Sequence, residues 1–364
     1  MKSRKRSARP QANSDFPHTY NLSPKEEKML IKKSVQAIAK AICCHLSPAG
    51  RAIVVRDSIP MKDLAHHLPR YQLTELLLET ALKLNLSSIR VNGQYGEIEG
   101  SPSDKVILRR YALTGSWSPR LQTEIIDRAF KHTEGTFIDI GANIGLTAIP
   151  AAKNHAITCF ALEPDPINFG FLQRNIELND LGSKVKPLNI AAYATETQLD
   201  FELSPDNLGD HRIRPHDSKP LVAPLQHEEN RKVIQIKALP LDTILATESL
   251  SHPLVMKIDT QGSEPMVFRG ARELLKQTDC LIVEFSPYTL ARAGFDVEDF
   301  FLDLRDFSYG YMLSFDHENN GSTCTSSQPL EFDKIVTKCR LNALNKNPDN
   351  YYDVVLLKQP GFLA

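Results

Sequence analysis

The sequence of 364 residues lacks any apolar run approaching the ~20 residues that a membrane-spanning helix requires. It also lacks an excess of charge: the formal net charge is −1, so no global field draws in nucleic acid or an anionic membrane. Its six cysteines (Cys43, Cys44, Cys159, Cys280, Cys324 and Cys339) include no C-x-x-C pair and no metal-ligand spacing. That excludes a sequence-readable zinc site and argues for a reduced, cytoplasmic protein. Cys159 and Cys280 fall in expected buried strands and read as packed thiols. The basic start, with Lys2, Arg4, Lys5, Arg6 and Arg9, has no apolar segment behind it, so it reads as a solvated tail and not as a signal peptide. No internal repeat is visible.

One further absence is local and carries the argument. The run Phe137-Ile138-Asp139-Ile140-Gly141-Ala142-Asn143-Ile144-Gly145 reads as a buried strand, a glycine turn and a helix start. Turns that bind dinucleotides use Gly-x-Gly-x-x-Gly, because a pyrophosphate must approach the backbone. Here the second glycine is missing and Asn143 stands in its place. S-adenosylmethionine has no phosphate. Its zwitterionic end asks for an acid to meet the ammonium and backbone N–H groups to meet the carboxylate, which Asp139 and the amides near Gly141 and Asn143 would supply. Gly141 and Gly145 permit close approach and positive φ. The following strand-like run, 157–162, ends at Glu163, where a carboxylate can accept two hydrogen bonds from a ribose diol.

Four ordered segments then resemble the FkbM-type methyltransferases: 137–145, 162–165, Pro240-Leu241-Asp242-Thr243, and Lys257-Ile258-Asp259-Thr260-Gln261-Gly262-Ser263-Glu264. The resemblance spans roughly residues 107–358. It implies an α/β fold with a doubly wound, mostly parallel seven-stranded sheet of the class I methyltransferase type. It implies S-adenosylmethionine as cofactor and, usually, a hydroxyl oxygen as acceptor. Carried over to this sequence, it assigns cofactor binding to Asp139, Gly141, Asn143, Gly145 and Glu163, with Ala191 (in Asn189-Ile190-Ala191-Ala192) lining the adenine pocket. Pro150 departs from the pattern, since it falls where the helix after Gly145 should run and would shorten or kink it.

Along the chain, 1–22 is expected as a disordered tail, 23–104 as an N-terminal helical region with a hairpin, and 105–364 as the catalytic domain. Ser23-Pro24-Lys25-Glu26 is a capping box, followed by Ile31, Val35, Ile38 and Ile42 at helical spacing. Further helices are predicted over 60–67 and 71–84. The latter is apolar on more than one side and must be covered, by the catalytic domain or by a second copy of the chain. A hairpin is expected around Asn92-Gly93. Within the catalytic region a helix is predicted over 121–131. Strands are predicted at 136–140, 157–162, 185–190, 254–258 and 280–285, with antiparallel segments at 198–203, 233–237, 309–314 and 354–358. The polar segment 204–230 reads as a long functional or disordered loop. Trp117 and Tyr111 are candidates to close the cofactor pocket, although packing is the simpler role for both.

In the methyltransferase strand order, the strand 255–258 lies beside the first one, which brings Asp259 next to the methyl-bearing end of the cofactor. Asp259 is therefore counted as both cofactor-binding and catalytic. Methyl transfer needs alignment and, for a hydroxyl, removal of a proton, for which Asp259, Glu264 and His211 are the candidates. Glu264 has an alternative as a helix N-terminal carboxylate, and His211 as a surface histidine; Glu284 ends the next strand. Asp259 with Glu264 and Glu284 could instead hold a cation, but carboxylates this close in sequence commonly serve turns and caps, and no metal is assigned. The leading expectation is O-methylation of a small molecule, natural product or glycan. The alternatives are a non-catalytic nucleoside-binding module and a nicotinamide-dependent oxidoreductase. A nucleic-acid substrate is disfavoured, because basic residues beyond the tail are few (Arg212, Arg214) and no Asp-Pro-Pro-Tyr signature appears.

Overall fold

Strands built from consecutive apolar residues must be covered on both faces, and this rule organises the molecule. A computed structural model describes residues 70–364, apart from residue 132 and segments 215–219, 224, 226–227, 229–230, 317–320 and 325–327. All of these belong to one compact unit, residues 46–364. The expected tail, the capping box at Ser23 and the helix over 60–67 lie outside the described residues.

Strands are numbered in chain order: β1 (Ile89–Gly93), β2 (Gly96–Gly100), β3 (Gly135–Ile140), β4 (Ile157–Leu162), β5 (Val185–Leu188), β6 (Ala191–Ala192), β7 (Thr197–Leu203) and β8 (Arg212–Ile213). They continue with β9 (Lys232–Leu239), β10 (Leu254–Ile258), β11 (Cys280–Phe285), β12 (Tyr309–Asp316), β13 (Gly321–Cys324), β14 (Leu330–Glu331) and β15 (Tyr352–Leu357). The large sheet runs β13-β12-β15-β11-β10-β3-β4-β5, with β14 also paired to β12. Its five central strands, β11-β10-β3-β4-β5, are parallel, whereas β15 and β12 are antiparallel. Seven strands were expected. Among the described residues the sheet has nine, because β13 and β14 extend its antiparallel edge.

Alternate residues feed two cores. Phe137, Cys159, Val255 and Ile282 face helices Ala148–Asn154 and Pro166–Leu178. Ile138, Phe160, Met256 and Val283 face the helices around Phe268, Leu290 and Phe300. Both cores lie fully out of water, at roughly 25 cal/mol per Å2 of apolar surface removed.

Several boundaries differ from expectation for identifiable reasons. The hairpin forms, but Asn92 pairs with Glu97 and Gly93 with Gly96, so the turn is at Gln94-Tyr95. β5 stops at Leu188, and Ala191–Ala192 leaves the large sheet to pair with β9 in a second sheet, β6-β9-β7-β8. The segment 121–131 begins as a π-helix, Leu121–Ile126, before one turn of α-helix. Pro150 lies in the first turn of a short helix, Ala148–Asn154, where no N–H partner is needed. The helical segment after β10 is broken at Gly270 into Glu264–Arg269 and Arg272–Gln277, and a Cβ at that glycine would run into Tyr193 O.

The described end of the N-terminal region is sewn to the sheet. Asn175 accepts from Glu99 N (2.6 Å) and donates to Glu99 O (2.9 Å), and Arg174 pairs with the Glu99 carboxylate (3.1 Å). The helix expected over 71–84 runs Arg70–Lys83 and buries Leu78 and Ala81, while Leu82 stays exposed.

Candidate functional site

A cavity opens at the C-terminal ends of β3, β4 and β10, the place where ligands bind in open α/β sheets. Its floor is the turn after β3. Gly141 (φ 82°), Asn143 (φ 50°) and Gly145 (φ 95°) all adopt left-handed backbone. At Gly141 the requirement is doubled, because a Cβ there would also run into Asp259 O. Asn143 tolerates the conformation and uses its short amide locally. Its Oδ1 accepts from Ile144 N (2.8 Å), and its Nδ2 donates to Leu208 O (2.8 Å).

Glu163 follows β4 and lines the cavity. It is only 5% exposed, with Oε2 accepting from Asn143 N (2.9 Å) and Oε1 from Asp165 N (2.8 Å). Burial, reinforced by the negative charges of Asp165 and Asp139, raises its pKa to about 8 despite the pull of the two N–H donors. Asp165 caps the next helix, accepting from Asn168 N (3.0 Å), and Pro166 sits at that helix start. Asn168 donates in turn to Leu208 O (2.9 Å). The loop around Leu208 is thereby pinned over the turn by two asparagines. Ile190, Ala191 and Ala192 line the adjoining wall, with Phe201 and Ile213 of the second sheet.

At the opposite end, Lys257, Asp259 and Gln261 line the cavity. Asp259 Oδ1 accepts from Gln261 Nε2 (2.9 Å), and its Oδ2 accepts from Lys257 Nζ (3.3 Å). Gln261 Nε2 also donates to Glu284 Oε1 (3.0 Å), linking two strand ends. Burial alone would lower the Lys257 pKa. Asp259, Asp139 and Asp353 outweigh it and raise the value, so the ammonium stays charged. Burial pushes Glu284 well up, and the neighbouring carboxylates of Asp259, Asp353 and Glu264 add to the shift.

The profile of the methyltransferase FkbM domain matches residues 139–313. This stretch is a methyltransferase FkbM domain. The chain is also 26% identical over 162 residues to the hexuronic acid methyltransferase AglP of Haloferax volcanii, covering 44% of this chain and 57% of that one. It is 27% identical over 172 residues to a tRNA (guanine(37)-N(1))-methyltransferase of Batrachochytrium dendrobatidis, covering 45% of this chain and 35% of that one. It is 23% identical over 155 residues to methyltransferase sdnD of Sordaria araneosa, covering 37% and 60%. The matches thus span between about a third and three fifths of those relatives' lengths. Among solved structures, the N-terminal domain of human METTL16 aligns with a TM-score of 0.39 at 11% identity, over 93% of this chain and 96% of that one.

Within the FkbM domain, the expected residues divide. Gly141, Asn143, Glu163, Ala191, His211 and Asp259 line the cavity. Gly145 shapes the turn beneath it. Asp139 is not among the residues that line the cavity. It is fully buried on the same sheet face, level with Lys257 in the β3–β10 register. Lys257 Nζ lies 3.7 Å from its Oδ1, and neither of its oxygens has a hydrogen-bond partner among the described residues. Burial raises its pKa, and Lys257 opposes the shift. The amides offered by the turn are already engaged: Gly141 N donates to Leu162 O (3.0 Å) and Asn143 N to Glu163.

Two proposed proton acceptors do not have the geometry for that task. Glu264 Oε1 accepts from Thr260 N (2.9 Å) and Thr260 Oγ1 (3.1 Å), and its Oε2 accepts from Gly262 N (3.0 Å). It holds the turn after β10 closed, away from the cavity. His211 Nδ1 accepts from Ser204 N (2.9 Å), so its neutral ring carries the proton on Nε2, which lies 3.8 Å from Asp165 Oδ2. Burial lowers its pKa. Its imidazole has no lone pair turned to a substrate. Among the described residues no group of three His, Cys, Asp or Glu side chains could hold a metal ion.

Trp117 lines the cavity, whereas Tyr111 is buried and donates to Gly96 O (2.8 Å). Sequence reasoning missed Asn168, Phe201, Lys257 and Gln261 as cavity residues. Lys257 carried a signal, as a charge inside the apolar run Val255-Met256-Lys257-Ile258. Phe201 carried none, because its strand reaches the site through a second sheet. Among the described residues no helix is long and apolar enough to cross a membrane.

Proposed function

We propose that this chain is an S-adenosylmethionine-dependent methyltransferase of the class I type that methylates a hydroxyl oxygen of a small molecule or glycan. The observation that carries the reading is Glu163. It is a buried carboxylate at the end of β4, anchored by two backbone N–H groups and facing a cavity floored by a left-handed glycine turn. A carboxylate so held accepts from both hydroxyls of a ribose. The apolar wall of Ile190, Ala191 and Phe201 suits an adenine ring. The position where a dinucleotide turn needs its middle glycine is Asn143, whose N–H is already given to Glu163, and this counts against a pyrophosphate ligand.

The bound cofactor supplies an activated methyl group, and the chain's own residues orient the two partners. Asp259 faces the cavity at the far end from Glu163, where its negative charge suits the cofactor's ammonium and the acceptor hydroxyl. Among the described residues four titratable side chains line the cavity: Glu163, His211, Lys257 and Asp259. Glu163 serves the ribose, His211 has committed its Nδ1, and Lys257 stays protonated. Asp259 is therefore assigned to take the hydroxyl proton. The name of the hexuronic acid methyltransferase relative supports a sugar-like acceptor. The test is calorimetric titration with S-adenosylhomocysteine. Glu163→Ala should weaken binding by about 10- to 100-fold, the size of one or two charge-assisted hydrogen bonds. Unchanged affinity would remove the ribose assignment.

A further inference from the structure

A small recess adjoins the cavity, lined by Glu202, Arg212, Ile213, Gln261, Thr289 and Arg292. Ile213 and Gln261 line both spaces. We propose that this recess receives an anionic oxygen group of the methyl acceptor, a carboxylate or a phosphate, held by Arg212 and Arg292. The proposal rests on the methyltransferase reading and specifies its acceptor.

The first ground is charge. Arg212, Arg231 and Arg292 are each at least nine-tenths buried. Arg212 and Arg231 share the two oxygens of Asp210. Arg212 Nη1 lies 3.0 Å from Glu228 Oε1, and Arg292 Nε lies 3.2 Å from Glu228 Oε2. Glu202 is matched separately by Arg214 at 2.7 Å. Three guanidinium groups thus face two carboxylates among the described residues. A buried surplus charge is costly unless a counter-ion joins it.

The second ground is unfilled hydrogen-bonding capacity. Arg212 Nε has no hydrogen-bond acceptor among the described residues, although the residue is only 6% exposed. The planar fork of an arginine matches a carboxylate or phosphate. The third ground is position. Gln261, on the rim shared by the two spaces, is hydrogen-bonded to Asp259 (2.9 Å). An acceptor with its hydroxyl at Asp259 therefore has the recess within reach for an anionic substituent. A neutral acceptor can fill the guanidinium donors but leaves their charge unmatched, so the recess selects by charge.

The test uses the full chain, with and without saturating S-adenosylhomocysteine, titrated calorimetrically with glucuronate, glucose 6-phosphate and glucose. At least one anion should bind about tenfold or more tightly than glucose, and which one does so separates carboxylate from phosphate. Arg292→Gln should lose about that factor for the anion while keeping the affinity for S-adenosylhomocysteine; Arg292→Lys, which retains a cation for Glu228, serves if the glutamine variant does not fold. The proposal is overturned if neither anion outbinds glucose, or if the variants bind the anion as wild type does. Failure of S-adenosylhomocysteine to bind would strike the methyltransferase reading, and the titrations without it would still report on the recess.

Discussion

At the β4 end of the cavity one buried carboxylate, Glu163, is held by two backbone N–H groups and faces apolar side chains. At the β10 end the charged side chain of Lys257 stands among Asp139, Asp259 and Asp353, with Gln261 bridging Asp259 and Glu284. The first end is fixed by local backbone geometry, the second by charges from four strands. The N–H donors of the first arrangement need only the pairing of β3 with β4, since they come from Asn143 and Asp165. The second exists only after β3, β10, β11 and β15 have come together. A site fixed by backbone tolerates changes elsewhere in the sheet, whereas one fixed by mutual charge fails as a unit.

The largest effect should come from removing the cation at the β10 end. In Lys257→Met, Asp139 loses its nearest cation while remaining fully buried. Chemical denaturation near neutral pH should show a loss of about 3–5 kcal/mol, the cost of leaving a buried charge unpaired. The deficit should shrink as the pH falls and the carboxylates take up protons. A loss below about 1 kcal/mol, independent of pH, would mean that the β10 end is not held by charge.

Gly141→Ala probes the join between the two ends, since its Cβ would meet Asp259 O in a left-handed backbone. A destabilisation of about 1–3 kcal/mol is expected, together with weaker S-adenosylhomocysteine binding as Asp259 is pushed away from the turn. Loss of stability with cofactor affinity intact would show the ends to be independent.

The smallest effect is a pH dependence of the β4 end. Glu163 has a pKa of about 8 in the empty protein, and hydroxyl donors favour its ionised form. Cofactor binding should therefore expel a proton below that pH. Affinity should rise as the pH approaches about 8 and level off above it, by no more than about tenfold per unit. The same raised pKa has the opposite sign for stability. In the empty protein the contribution of Glu163 is fully present below its ordinary carboxylate pKa and is lost as the pH rises through about 8. A Glu163→Ala variant should lose the pH dependence of affinity.

What the sequence determined by itself is local. The parallel strands at 157–162, 254–258 and 280–285 appear at their expected bounds, because apolar run length is a property of neighbours. The turn from Gly141 to Gly145 and the carboxylate at Glu163 were legible for the same reason: positive φ asks for glycine or asparagine, and a polar residue closing an apolar strand is visible in the string. The tertiary structure alone decided where each acid's oxygens go. Asp139, Glu264 and Asp259 look alike in sequence, yet one is buried against Lys257, one is spent on the N–H groups of Thr260 and Gly262, and one faces the cavity. His211 looked like a base until Ser204 N occupied its Nδ1. Those outcomes depend on which distant strands and loops arrive beside each group, and hydrogen-bond partners and desolvation are set by that arrival.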